Sequence, residues 1–167
     1  KRTQKCAVLS VGEVGRYEYP DLKLGEAIAY AEKINRELGR IGNLTYEGRP
    51  ILPLPSKDRL EIVLGISKDN LLIPCHAWTP WFSIFGANSG FDSIEECFEE
   101  YSKYIYAIET GLSSDPSMNW RLSKLDRISL ISCSDAHSPS KIGREACVFD
   151  SDLTYKAIID AIKTKDR

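Results

Sequence analysis

Apolar positions recur along this 167-residue chain in two periods. From Leu24 to Leu38 they fall at helical spacing (Ala27, Ile28, Ala31, Ile34, Leu38), and Gly39 offers a C-terminal stop, so the pattern predicts an amphipathic helix. Ser56 predicts the start of a second helix running through Ile66, with Leu60, Val63 and Leu64 facing inward. Short apolar or alternating runs instead predict strands at Ala7 to Val11, Leu71 to Cys75, Tyr104 to Glu109, Ile128 to Cys133 and Ala146 to Phe149. Ser93 and Glu96 form a capping-box pattern that opens a helix to about Tyr101. Asp115 followed by Pro116 reads as an N-cap and a first helical residue. Leu153 to Ile162 predicts a closing amphipathic helix.

Helical and strand patterns alternate, which predicts an α/β fold: a mainly parallel sheet with outer helices. So few strands cannot close an eight-stranded barrel, which leaves a partial barrel or an open sheet. The length suits a single domain. A hydrophobic fraction of 43% and a charged fraction of 28% are ordinary for a soluble globular protein. The net charge of -2 excludes nucleic-acid binding through bulk charge but leaves room for a local basic groove. No apolar run approaches the roughly 18 residues of a membrane span, so no membrane partner is expected. The first residues are basic and polar, unlike a signal peptide. Five scattered cysteines with no CxxC argue for a reduced, cytoplasmic setting. The chain opens at Lys1 without a methionine, and is read as a piece of a longer protein.

The chemistry gathers at predicted strand ends, where α/β folds build their sites. His76 follows the run Leu71–Pro74, and Asp135 and His137 follow Ile128–Cys133; the two histidines are the chain's full complement. Imidazole with carboxylate suits a divalent metal such as zinc or manganese, which makes hydroxide available near neutral pH. His76 read alone could equally be a structural histidine, and Asp135 a turn cap. Glu109 ends a third predicted strand; it could ligate the metal, orient a ligand or pair with an arginine. Cys75 and Cys133 flank these candidates and default to inert thiols. Lys141 and Arg144 could grip phosphate or form a solvated loop, and Asn119, Arg121, Lys124 and Arg127 add polar groups nearby in sequence. Trp78, Trp81, Phe82 and Phe85 lie in the long loop from Trp78 to Asp92; they could stack a nucleobase or pack as a hydrophobic lid.

Five stretches resemble the endonuclease Q family: Ile73–Gly86 (IPCHAWTPWFSIFG), Ser89–Phe98, Ile108–Pro116 (IETGLSSDP), Met118–Leu122 and Ser134–Pro139 (SDAHSP). That family is part of the PHP superfamily of metal-dependent phosphoesterases. The resemblance implies a partial distorted (β/α)7 PHP barrel, with residues 1–167 as the C-terminal portion of the domain and 1–20 least family-like. It implies zinc or manganese as cofactor and damaged DNA as partner, nicked 5′ of deaminated or abasic nucleotides. His76 matches the histidine of the third PHP motif, and Asp135 and His137 match the last. Glu109 lies in a family-typical segment. The His-x-His of the first motif has no counterpart here, and Glu13 is the one candidate for the second-motif acid. The expectation is therefore a metal-dependent endonuclease whose barrel lacks an N-terminal segment and whose activity alone is weak. The alternatives are a PHP-fold binding or regulatory module without catalysis, and a small-molecule phosphoesterase.

Overall fold

The computed structural model describes residues 24–45, 52–88, 90–152 and 154–165. The strand predicted at Ala7 to Val11 and the acid Glu13 lie outside them. Helix α1 spans Leu24–Gly39 and α2 spans Ser56–Ile66. Gly39 is the last residue of α1 rather than a cap beyond it, and Pro55, not Ser56, occupies the N-cap of α2. Helix α3 covers Ile94–Phe98 and passes into a 3-10 turn over Glu99–Tyr104. The predicted capping serine holds: Ser93 Oγ accepts from Glu96 N at 3.0 Å, and Glu96 Oε2 reaches back to Asp92 N at 2.9 Å. Glu99 at φ 50° ends the α-helical run, because a left-handed residue cannot continue it.

Strand β1 is Ala107–Glu109 and β2 is Ser129–Ile131; they pair in parallel, with Ala107 opposite Ser129 and Glu109 opposite Ile131. Helix α4, Pro116–Asn119, lies in the crossover and is capped as predicted, Asp115 Oδ1 accepting from Met118 N at 2.8 Å. Helix α5, Tyr155–Thr164, closes the described chain, capped by Thr154. Among the described residues the sheet has these two strands and no more. Tyr104 belongs to the 3-10 turn rather than to a strand.

Burial nevertheless shows where the strand predicted at Leu71 to Cys75 went. Leu72 packs with Leu60 and Val63 of α2, Phe98 of α3, and Ile108, on one side of the sheet. Its neighbours Leu71 and Ile73 pack with Ala107, Ile131 and Ile162 of α5 on the other. Side chains that alternate across two layers are those of an extended strand. The backbone ladder fails for a local reason. Glu109 N donates to Pro74 O at 2.9 Å, and a regular parallel pairing would return through the N–H of residue 76. That N–H is given instead to the Glu109 carboxylate, at 2.7 Å, and the return bond comes one residue late, from Ala77 N to Glu109 O at 3.0 Å.

The strand predicted at Ala146 to Phe149 does not form. Cys147 Sγ accepts from Ser132 N at 3.0 Å and donates to Ser132 O at 3.2 Å, so a side chain occupies the positions a backbone ladder would use. Val148 is left 98% exposed. The described core is thus a helix–sheet–helix arrangement with strand C-terminal ends at one rim. No helix among the described residues is long and apolar enough to cross a membrane.

Candidate functional site

Parallel pairing brings the ends of β1 and β2 to the same edge, and the segment 71–74 ends beside them. Glu109 is the last residue of β1, and His76 and Asp135 sit on the turns just past their own segments. Both turn residues have left-handed backbone, His76 at φ 48° and Asp135 at φ 45°. Few residues other than glycine adopt this region, although histidine and aspartate tolerate it better than most. Such conformations persist where surrounding bonds hold them, and they cluster at functional sites.

Glu109 supplies those bonds. It is only 3% exposed. Its Oε2 accepts from His76 N at 2.7 Å, and its Oε1 accepts from Gly111 N at 2.7 Å and Cys133 N at 3.3 Å. One carboxylate therefore ties together the turns after all three extended segments. Gly111 permits it: a Cβ there would lie 1.9 Å from Glu109 Oε1. Burial pushes the Glu109 carboxyl up, but the His76 ring and the N–H groups of His76 and Cys133 together outweigh it and hold the group below its usual range.

The His76 ring lies between two acids. Its Nδ1 is 3.0 Å from Glu109 Oε2, and its Nε2 is 3.5 Å from Asp135 Oδ2. The Nδ1 contact is close but off the axis of a hydrogen bond, so that buried nitrogen lacks a directed partner. The neighbouring Glu109 carboxylate raises the imidazole above its ordinary value against the opposing effect of burial, with Asp135 adding to the rise. His137 is more exposed; its Nδ1 is 2.8 Å from Asp135 O and 3.8 Å from Asp135 Oδ2. The nearby Cys133 thiol is pushed up to about 11, by burial first and then by Cys147, Glu109 and Glu145. Such surroundings favour the protonated thiol, the poorer nucleophile.

The four predicted donors His76, Glu109, Asp135 and His137 are thus brought together. The predicted substrate-side residues are less tightly connected. Lys141 is exposed on a 3-10 turn, and among the described residues no hydrogen bond or ion pair joins it or Trp81 to the four. Arg144 directs Nε to Ser134 O at 2.7 Å, one residue before Asp135. Trp78 packs on Phe85 with ring centroids 4.6 Å apart, and its Nε1 donates to Asn119 Oδ1 at 2.8 Å. Trp81 is 58% exposed. Two residues that sequence reasoning passed over matter here: Gly111, which carried a signal by following close after a strand-end acid, and Glu145, which carried none. Asn119, noted in sequence only as a nearby polar group, is buried and accepts the Trp78 indole.

Imidazole and carboxylate are donors that zinc and manganese take, so the set fits such an ion in kind. As arranged, the groups pair with one another. Among the described residues no three His, Cys, Asp or Glu side chains converge as a metal-holding cluster.

No protein-family model matches the chain. A Bacillus subtilis (strain 168) protein described as uncharacterized protein YqxK is 41% identical over 99 residues, covering 58% of this chain and 24% of that protein. The crystal structure of endonuclease Q in complex with a 27-mer duplex substrate carrying an abasic lesion at the active site is similar with a TM-score of 0.68 and 29% identity, over 86% of this chain and 35% of that one. The chain therefore spans about a quarter of the curated relative and about a third of the solved structure. In its mixed helices and small parallel sheet it is an α/β chain that structurally resembles part of endonuclease Q.

Proposed function

We propose that this chain is part of a metal-dependent phosphodiesterase resembling endonuclease Q, which nicks damaged DNA 5′ of deaminated or abasic nucleotides. On this reading residues 1–167 form the C-terminal portion of a distorted (β/α)7 PHP barrel. The observation that carries it is the gathering of His76, Glu109, Asp135 and His137 at one rim, in a chain that resembles endonuclease Q along 86% of its length.

Zinc or manganese would be held by His76, Asp135 and His137, with Glu109 beside them. When bound, such an ion supplies Lewis acidity toward a phosphate oxygen and a water of lowered pKa. Glu109, with both oxygens already accepting backbone N–H groups, orients the His76 ring from its Nδ1 side and leaves Nε2 facing Asp135. A carboxylate behind a ligating histidine is a recurrent way to fix ring orientation. Lys141 and Arg144 are the cations on the segment after His137, suited to a phosphate backbone. Exposed Trp81 offers a face for a base, and Trp78 anchors its loop.

The test is a zinc titration of the wild-type chain and of Asp135→Ala in one buffer. Weaker binding by the variant supports the assignment, and equal binding by both overturns it. A second reading, a PHP-fold binding module without catalysis, is favoured by the failure of three donors to converge among the described residues. A wild type that binds no zinc at all would select it.

A further inference from the structure

Three residues of one short segment, Arg144, Glu145 and Cys147, reach across to the turns that carry the candidate donors. Glu145 Oε1 accepts from Leu112 N at 3.0 Å, and its Oε2 accepts from the Ser132 hydroxyl. Leu112 follows Gly111, whose N–H holds Glu109 Oε1. Ser132 follows β2 and precedes Cys133, whose N–H holds the same oxygen. Glu145 thus repeats from outside the link that Glu109 makes from inside: one carboxylate joining the loop after β1 to the loop after β2. Arg144 extends the link toward Asp135. Its Nε donates to Ser134 O at 2.7 Å, and its Nη2 lies 3.5 Å from Asp135 O. Cys147 fixes the base of the segment on the backbone of Ser132.

Both tethered loops need such support. Leu112 has φ 62° and Asp135 has φ 45°, conformations that relax when their bonds are removed. Leu112 is also 53% exposed, so packing does not hold it.

We propose that Glu145, assisted by Arg144, is a positioning residue of this site: an outer clamp that fixes the Glu109–Leu112 turn against the Ser132–Asp135 turn, and so sets the distance between His76 and Asp135. The proposal rests on the metal-site reading above. Glu145 itself takes no part in binding the ion.

The test uses the 167-residue chain, with zinc as probe and amide hydrogen exchange as a second readout. Glu145→Ala should speed exchange at Leu112, leave the core amide of Ile108 unchanged, and weaken zinc binding roughly 10- to 100-fold, the range typical when a supporting residue behind metal ligands is lost. Glu145→Gln should recover most of the affinity, since its amide oxygen still accepts from Leu112 N–H while its NH₂ can donate to Ser132 Oγ. Faster exchange at Leu112 with unchanged zinc affinity would make the clamp structural only and overturn the proposal. A Gln variant no better than Ala would overturn it as well. A wild type that binds no zinc defeats the metal-site reading instead. The clamp is then judged on exchange, and unchanged protection at Leu112 in Glu145→Ala overturns it.

Discussion

At the scale of single residues, the site depends on a buried carboxylate that accepts more bonds than it could receive from a less crowded backbone. Glu109 takes N–H groups from His76, Gly111 and Cys133, and the closest approach is at Gly111, where a methyl group would come within 1.9 Å of Oε1. Gly111→Ala must therefore displace the carboxylate or the turn. We expect a loss of about 1–3 kcal/mol, since the buried acceptor and its donors would part. Chemical denaturation of the two chains measures it, and a stability equal to wild type would show that the turn yields freely. That His76, Asp135 and His137 would meet past neighbouring strand ends was legible in the sequence. His76, Asp135 and His137 stand out because histidine is scarce in this chain and each follows an apolar run. How Glu109 would act was not legible, because an acid at a strand end looks the same whether it faces a metal or three amides. Glu145 was invisible for a related reason: its partners, Leu112 and Ser132, are distant in sequence and joined only by the pairing of β1 with β2.

At the scale of elements, two predicted caps held, while Gly39 and Ser56 fell inside their helices rather than capping them. Ser93 and Asp115 accept the N–H groups expected of them, and α3 then buries Ile94, Cys97 and Phe98. Ser93→Ala should cost about 1 kcal/mol, the usual worth of a serine N-cap, read as a lower melting midpoint. Ser93→Asp should keep the midpoint near wild type, because aspartate caps as well, and a midpoint as low as that of alanine would separate the effect from capping. Strands were harder to read because a period of two specifies burial, not pairing. Leu71, Leu72 and Ile73 alternate between the two core layers as an extended strand does, yet the positive φ of His76 diverts the bond that would have completed a ladder. At Ala146–Phe149 the sequence offers an equally continuous apolar run, but the Cys147 thiol takes both backbone groups of Ser132. In each case a polar contact at the rim overrode a hydrophobic pattern, and the two exceptions lie beside the candidate site.

At the scale of the whole molecule, the question is how much chemistry this chain performs by itself. Hydrolysis of a phosphodiester needs a water held for in-line attack while charge growing on the phosphate oxygens is neutralised. Of the four gathered groups, Glu109 already accepts three backbone N–H bonds and faces His76 Nδ1. That leaves His76 Nε2, Asp135 and the more exposed His137, and the chain has no third histidine to add. Even on the proposed metal-site reading, stabilising both the attacking and the leaving oxygen takes more donors than these. The 167-residue chain assayed alone should therefore be a poor nuclease, even though the structure it resembles holds a duplex with an abasic lesion at its active site. The measurement is strand cleavage of an abasic-site duplex with added zinc or manganese, at protein in excess over DNA. We expect product close to the protein-free background. Robust turnover that disappears in His137→Ala would show that these few donors suffice, and that the pairing of His76 with Glu109 and Asp135 gives way to a working centre once metal is supplied.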